Sequence, residues 1–151
     1  MNRTDNTGVV AGPASGQTSP TYRLRRLAVT GFLATLAAMV ATTLAAALAQ
    51  AVGVDFEVPD GGATIPLSGF AVVTGFFSAV GIVIAVALLR WSARPAERFV
   101  WTAVSLTAIS LVAPLLSGAN TATTTALLGL HLVAATVMIP ALARSLRARN
   151  D

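Results

Sequence analysis

Four long apolar runs without a single Asp, Glu, Lys or Arg constrain this chain more than any other feature. They extend from Leu27 to Gln50, from Leu67 to Leu89, from Phe99 to Leu116 and from Ala122 to Ala143. At about 1.5 Å per residue, the first run is long enough as a helix to cross a hydrocarbon core of about 30 Å. Because lipid offers no hydrogen bonds to an open backbone, the runs predict four transmembrane helices.

The basic residues lie on one side of this pattern. All ten are arginines, and they precede the first run, separate the second run from the third, or follow the fourth. They are Arg3, Arg23, Arg25, Arg26, Arg90, Arg94, Arg98, Arg144, Arg147 and Arg149. Arginine is enriched in cytoplasmic connections, so this partition predicts a multi-pass protein of the inner (plasma) membrane with both termini in the cytoplasm.

The connections predict the architecture. Those at residues 90–98 and 117–121 are short, and short connections make neighbouring helices antiparallel. We therefore predict an all-α membrane protein, built as an antiparallel bundle of four transmembrane helices over residues 22–149. Residues 1–21 are rich in Asn, Thr, Gly, Ser and Pro, and we predict that they form a disordered cytoplasmic tail.

The connection at residues 51–66 carries a different pattern. Polar and apolar residues alternate from Val54 to Val58, a turn signal follows at Pro59 to Gly62, and Ala63 to Ile65 offers a return strand. This pattern predicts a short extracytoplasmic β-hairpin between helices 1 and 2. Its acids Asp55, Glu57 and Asp60 are the right ligands for a hard cation, but Asp60 lies in the turn. A solvated acidic loop is therefore the favoured interpretation.

Small residues recur at about four-residue spacing in the first two runs. They are Gly31, Ala34, Ala37, Ala38, Ala41 and Ala45 in the first, and Ala71, Gly75, Ser78, Ala79 and Gly81 in the second. Small side chains let helix backbones approach closely in lipid. We expect them to form the interior of the bundle, with a homo-oligomer interface as the alternative.

The start of the chain also has a second interpretation. The basic segment Arg23 to Arg26, the apolar run after it and Ala47-Leu48-Ala49 resemble a signal peptide with its cleavage site. Cleavage would leave three spans and an external N-terminus. The apolar run is longer than a usual signal-peptide core, which favours a retained helix.

His131 is the candidate functional polar residue of the membrane segment. It is the only histidine, and it falls near the middle of the fourth run. Ionisable residues within a membrane are functional candidates by default. No run holds a carboxylate to complete a proton relay, and a bis-histidine haem would need a second subunit. The alternative is a structural role, with a neutral imidazole bonded to a Thr hydroxyl or a helix carbonyl.

Two prolines bear on the ends of helices 3 and 4. Pro114 is expected to help end helix 3, and Pro140 is expected to redirect the last turn of helix 4. Both are too close to helix ends to form the broken helices of transporters.

Several segments resemble a known family. These are Phe56-Glu57-Val58-Pro59 with Gly61-Gly62 and Pro66, Arg98-Phe99-Val100-Trp101, Leu130-His131-Leu132 and Ile139-Pro140. Together they resemble a family of small uncharacterised bacterial four-span membrane proteins, known only as a domain of unknown function. The resemblance covers about Arg23 to Arg149. It implies the four-helix topology and the outer hairpin, and it implies no activity.

The functional expectation rests largely on what the runs lack. The chain has no cysteine and no phosphate-loop, serine-triad or metalloprotease motif, so we assign no catalytic, cofactor or metal residues. The net charge of +4 does not indicate nucleic-acid binding, because the arginines adjoin apolar runs and meet lipid headgroups there.

We therefore predict a non-enzymatic structural or accessory membrane subunit. Its expected partners are the lipid bilayer and either a second copy of the chain or another membrane protein. The alternative is a small oligomeric transporter or channel that uses His131 and Thr-lined helix faces.

Overall fold

A computed structural model describes residues 20–58 and 63–148, and within them the fold is all-helical apart from one pair of two-residue strands. The elements are α1 (Pro20–Ala51), β1 (Glu57–Val58), β2 (Ala63–Thr64), α2 (Leu67–Trp91), α3 (Pro95–Ser110), α4 (Val112–Leu116) and α5 (Thr121–Arg147). The part of the predicted tail before residue 20 lies outside the described residues.

Four helical segments of this described part are long and apolar enough to cross a membrane. They are Thr21–Ala51, Leu67–Trp91, Pro95–Leu116 and Thr121–Arg147, and each contains one of the four predicted spans. The chain thus has the helices of a multi-pass membrane protein, as the apolar runs predicted.

The helices form a ring in which neighbours are antiparallel. α1 packs against α2 and α5, and α3 packs against the same two helices from the opposite corner. One apolar cluster gathers the start of α1, the end of α2, the start of α3 and the end of α5, with Leu27, Ala85, Phe99 and Leu146 among its members. Only alternating helix directions bring these segments together at one end.

This end also holds the arginines of the described residues, and we call it the arginine end. They are Arg23, Arg25 and Arg26 in α1, Arg90 in α2, Arg94 and Arg98 around the start of α3, and Arg144 and Arg147 in α5. Cations in the last turns of α2 and α5 also complement the helix dipoles. The opposite end, which carries β1 and β2, is called the loop end.

The loop end is filled by an aromatic side chain from the connection between α1 and α2. Phe56 is fully buried, and its ring meets that of Phe70 edge to face, with centroids 4.8 Å apart. Ala46 and Leu130 complete the cluster beneath it. A large apolar residue of the loop therefore closes the bundle at this end.

The structure does not support the predicted hairpin beyond one short strand pair. Glu57 pairs with Thr64 and Val58 pairs with Ala63, whereas the predicted strand began at Val54. The physical reason is Phe56, whose backbone turns to a φ of +48° and so leaves the extended region as its ring enters the core. The predicted turn at 59–62 lies outside the described residues.

The third span is irregular at Leu111, where no irregularity was predicted. α3 ends at Ser110, and α4 carries the span from Val112 to Leu116 with Pro114 buried inside it. A proline ring clashes with the carbonyl four residues earlier, here that of Ser110, so the chain is irregular just before the proline. Leu111 keeps helical angles and its N–H still bonds to the carbonyl of Thr107, so Pro114 distorts the helix there, and the span continues to Leu116. Pro140 lies within α5, which continues to Arg147.

Only some of the small residues that were predicted to form the interior of the bundle are buried. Gly31, Ala34, Ala38 and Ser78 are buried, whereas Ala37 and Ala79 are exposed. The outward faces carry large apolar side chains instead, including Phe32, Leu33, Phe76, Phe77, Val83 and Leu132. Such a surface suits lipid or a protein partner in the membrane.

Candidate functional site

His131 lies in α5 and bonds to its own helix. Its ring nitrogen Nδ1 is 2.8 Å from the carbonyl oxygen of Leu127, one turn earlier. A carbonyl only accepts, so Nδ1 donates, and in the neutral imidazole Nε2 then keeps its lone pair as an acceptor. The ring is half-buried. A bond to a helix carbonyl is one of the two partners predicted for a structural role of His131.

The helical spacing places His131 on an inward face of α5. It precedes the buried residues Met138 and Leu142 by seven and eleven positions. These separations are about two and three helical turns, so the three residues share one face of α5. Leu142 lies on the side of α5 that meets α1, because a methyl group added at Gly31 of α1 would contact the Leu142 side chain. His131 thus sits on the face of α5 toward the bundle, and its functional role stays a prediction.

The described residues bring no metal-ligating set together around it. No group of three His, Asp or Glu side chains is close enough to hold a metal ion within the described ranges. Of the acidic trio, Asp55 and Glu57 are exposed and Asp60 lies outside those ranges. Neither His131 nor the acidic loop therefore forms a metal centre from the residues that can be described.

Several threonines of the spans bond to their own helices, whereas the buried hydroxyl of Thr123 has no partner among the described residues. The pairs are Thr35 to Gly31, Thr43 to Met39, Thr107 to Ala103 and Thr136 to Val133, with hydroxyl-to-carbonyl distances between 2.7 and 2.9 Å. A hydroxyl that donates to its own helix satisfies its proton locally. These side chains therefore do not line a polar path through the bundle with free donors.

One threonine pair joins two helices. The hydroxyl of Thr42, which is 1% exposed, lies 3.1 Å from that of Thr74 in α2. Thr42 also donates to the carbonyl of Ala38 at 2.8 Å, so Thr74 is the donor to Thr42. This bond fixes the register of α1 against α2 in the middle of the spans.

A groove opens at the arginine end, with a volume of about 390 Å³. The connection before α3, the first turns of α3 and the last turn of α5 form its walls. Arg94 and Arg147 provide charge, and Val100, Trp101 and Leu146 provide apolar surface. Sequence reasoning missed the groove because it joins segments about fifty residues apart, and its arginines were interpreted only as topology signals.

These features define a class: a helical membrane protein with four candidate spans, a core closed by Phe56 and an arginine-rich end with a groove. The chain belongs to the Family of unknown function (DUF6069), which it matches over residues 22–148. The predicted resemblance to a family of unknown function is thereby confirmed. Neither the curated proteins nor the solved structures contain a match to this chain.

Proposed function

We propose that this chain is a non-enzymatic accessory subunit of the inner (plasma) membrane, with both termini cytoplasmic, that binds another membrane protein through its helix faces. The orientation is supported by the arginine end, since cytoplasmic connections are rich in arginine. Retention of α1 is supported by its packing, because Leu27, Ala34 and Ala38 are buried in the cluster shared with the other helices.

One observation carries the proposal: several polar groups within the spans bond inside the chain, although the buried hydroxyl of Thr123 has no partner among the described residues. Threonine hydroxyls donate to carbonyls of their own helices, and His131 bonds to Leu127. At the loop end Phe56 fills the space between the helices. A bundle of this kind offers outward surfaces for recognition in place of an internal site.

The outward face of α5 is the surface best suited to a protein partner. Gly129 is exposed, and a methyl added there meets no atom within 4 Å. Thr125 and Leu132 are exposed one turn to either side. A small residue on an open face allows another helix backbone to approach closely, and packing of this kind drives association in lipid.

The experiment crosslinks the chain in native membranes from two faces. The protein lacks cysteine, so Leu132→Cys on α5 and Phe76→Cys on α2 each introduce one reactive thiol. We expect a discrete adduct from Leu132→Cys that disappears when Gly129→Leu is added. Gly81→Leu is the matched control, since a side chain there also has open space. A strictly monomeric protein without adducts from either face contradicts the proposal.

The orientation is tested separately with single cysteines and a membrane-impermeant reagent. Thr64→Cys lies in the exposed strand β2 at the loop end, and Ala93→Cys lies in the exposed connection at the arginine end. We expect external labelling of Thr64→Cys only. Labelling of Ala93→Cys from outside reverses the orientation.

A transporter or channel formed by several copies is the second candidate. It is favoured by one observation: Nδ1 of His131 is occupied, which leaves Nε2 as an acceptor on a half-buried ring. Flux of protons and small cations into liposomes tests this candidate. This candidate requires a flux that His131→Ala abolishes. Thr136→Ala, which removes only a hydrogen bond within α5, is the control and should leave the flux intact. The absence of flux removes the candidate.

A further inference from the structure

The groove at the arginine end combines charge and apolar surface from two separate parts of the chain. Arg94 precedes α3, and Arg147 ends α5. Val100 and Leu146 form apolar wall between them, and Trp101 stands at the edge with 70% of its surface exposed. Its volume of about 390 Å³ falls within the roughly 300–1,000 Å³ of small-molecule sites.

The start of α3 adds a second feature that favours an anion. The side chain of the N-cap residue Arg94 makes no capping hydrogen bond to this helix, whose first residue is Pro95. The amides of Ala96 and Glu97 lie in its first turn and point toward the helix start. Both residues line the groove. Amides at a helix start and two guanidinium groups are complementary to phosphate oxygens.

The position of the groove decides which phosphate compound fits. It lies where the apolar spans meet the arginines, and the exposed rings of Trp91 and Trp101 mark the depth of the lipid headgroups. An apolar wall beside two guanidinium groups suits a molecule with a phosphate and an attached acyl glycerol. A soluble phosphate compound would leave that wall unused.

We infer that this groove binds the phosphate headgroup of an anionic phospholipid, with Arg94 and Arg147 on the phosphate and Val100 and Leu146 against the glycerol and upper acyl chain. The inference rests on the membrane placement of the proposed function but not on its protein partner. Glu97 moderates the site, because its carboxylate lies 3.6 Å from a guanidinium nitrogen of Arg94 and competes for it. That pair is exposed and therefore weak.

The test uses Trp101 as a reporter in lipid nanodiscs. Trp91→Phe leaves Trp101 as the single tryptophan of the chain. Its quenching by brominated phosphatidylglycerol is compared with its quenching by brominated phosphatidylcholine in nanodiscs of mixed composition. We expect strong preference for the anionic lipid. Arg94→Gln with Arg147→Gln should reduce that preference, and Glu97→Gln should increase it.

The matched control is Arg90→Gln with Arg144→Gln. It removes the same charge from the same end, at exposed positions that do not line the groove. A charge-assisted hydrogen bond to phosphate predicts a loss about tenfold larger for the groove pair than for the control pair. Circular dichroism and gel filtration identify any variant that fails to fold, and Arg94→Lys then replaces it as a milder change.

Three results overturn the inference. Equal losses from the two pairs show a diffuse charge effect without a site. Full competition by inorganic phosphate or a nucleotide shows a soluble anion as the occupant. Release of the chain from membranes by alkaline carbonate shows that it is not an integral membrane protein. A missing protein adduct in the crosslinking experiment leaves the lipid result unaffected, so the two proposals fail separately.

Discussion

Replacing Gly31 with Ala tests the packing of α1 most directly. Gly31 is buried, and a methyl built on it would lie 2.8 Å from Cγ1 and 2.9 Å from Cδ1 of Ile82 in α2. Cδ2 of Leu142 in α5 would be 3.4 Å away. The added methyl therefore enters the space where three helices meet.

The magnitude follows from these distances. The shortest contact is about 0.7 Å inside the optimal carbon–carbon separation of about 3.5 Å. Overpacking of a core costs typically about 1–3 kcal/mol, because neighbouring side chains must leave their preferred rotamers. Against this, Ala favours helix over Gly by up to about 1 kcal/mol. Gly31→Ala alone should thus lower the free energy of unfolding by about 0–2 kcal/mol.

A second glycine separates the two effects. Gly129→Ala makes the same chemical change at a position where the methyl meets nothing within 4 Å. The helix-propensity gain is the same in both variants. The difference between their free energies of unfolding therefore reports the overpacking cost alone, about 1–3 kcal/mol. The assay is unfolding in mixed micelles by increasing SDS, followed by circular dichroism. If Gly31→Ala is as stable as Gly129→Ala, the close approach of α1 and α2 is wrong.

Three further changes test other parts of the fold. Phe56→Ala empties the space at the loop end and should lower the free energy of unfolding by about 3–5 kcal/mol in the same assay. Thr42→Val removes the interhelical hydrogen bond to Thr74, and a double-mutant cycle with Thr74→Val should give a coupling of about 0.6 kcal/mol. Pro114→Ala should make the third span a regular helix, with ψ of Leu111 moving from −17° toward about −42°, as measured by backbone chemical shifts.

Each of these changes has its own control or contrary result. Phe56→Leu keeps an apolar side chain and should cost clearly less than Phe56→Ala, so equal costs argue against a buried ring. Thr43→Val removes a bond within α1 only and should show no coupling to Thr74. Unchanged shifts at Leu111 in Pro114→Ala would show that the proline is not the cause of the irregularity.

The spans were predictable because each one is a long run without a charged residue. Such a run has a single stable form in lipid, and the structure places a helix over all four. Antiparallel packing followed from the short connections. The partner of His131 was predicted as a choice between a Thr hydroxyl and a helix carbonyl, and the carbonyl of Leu127 is the one observed.

Features that depend on distant contacts were not predictable. Alternation from Val54 suggested a strand, but burial of Phe56 beside Phe70 outweighs local strand preference. The irregularity at Leu111 has a local cause, but the sequence alone does not say whether a proline ends a helix or only distorts it. The groove needs Arg94 and Arg147 to meet, which only the closed ring of helices brings about.

The arginine end also limits the symmetry of any assembly of identical copies. Moving one charge across a membrane potential of 100 mV costs about 2.3 kcal/mol, and eight guanidinium groups of the described residues share one end. We therefore expect copies to insert in a single sense. A two-fold axis in the membrane plane relates copies of opposite sense, so we expect any homo-oligomer to have its rotation axis along the membrane normal.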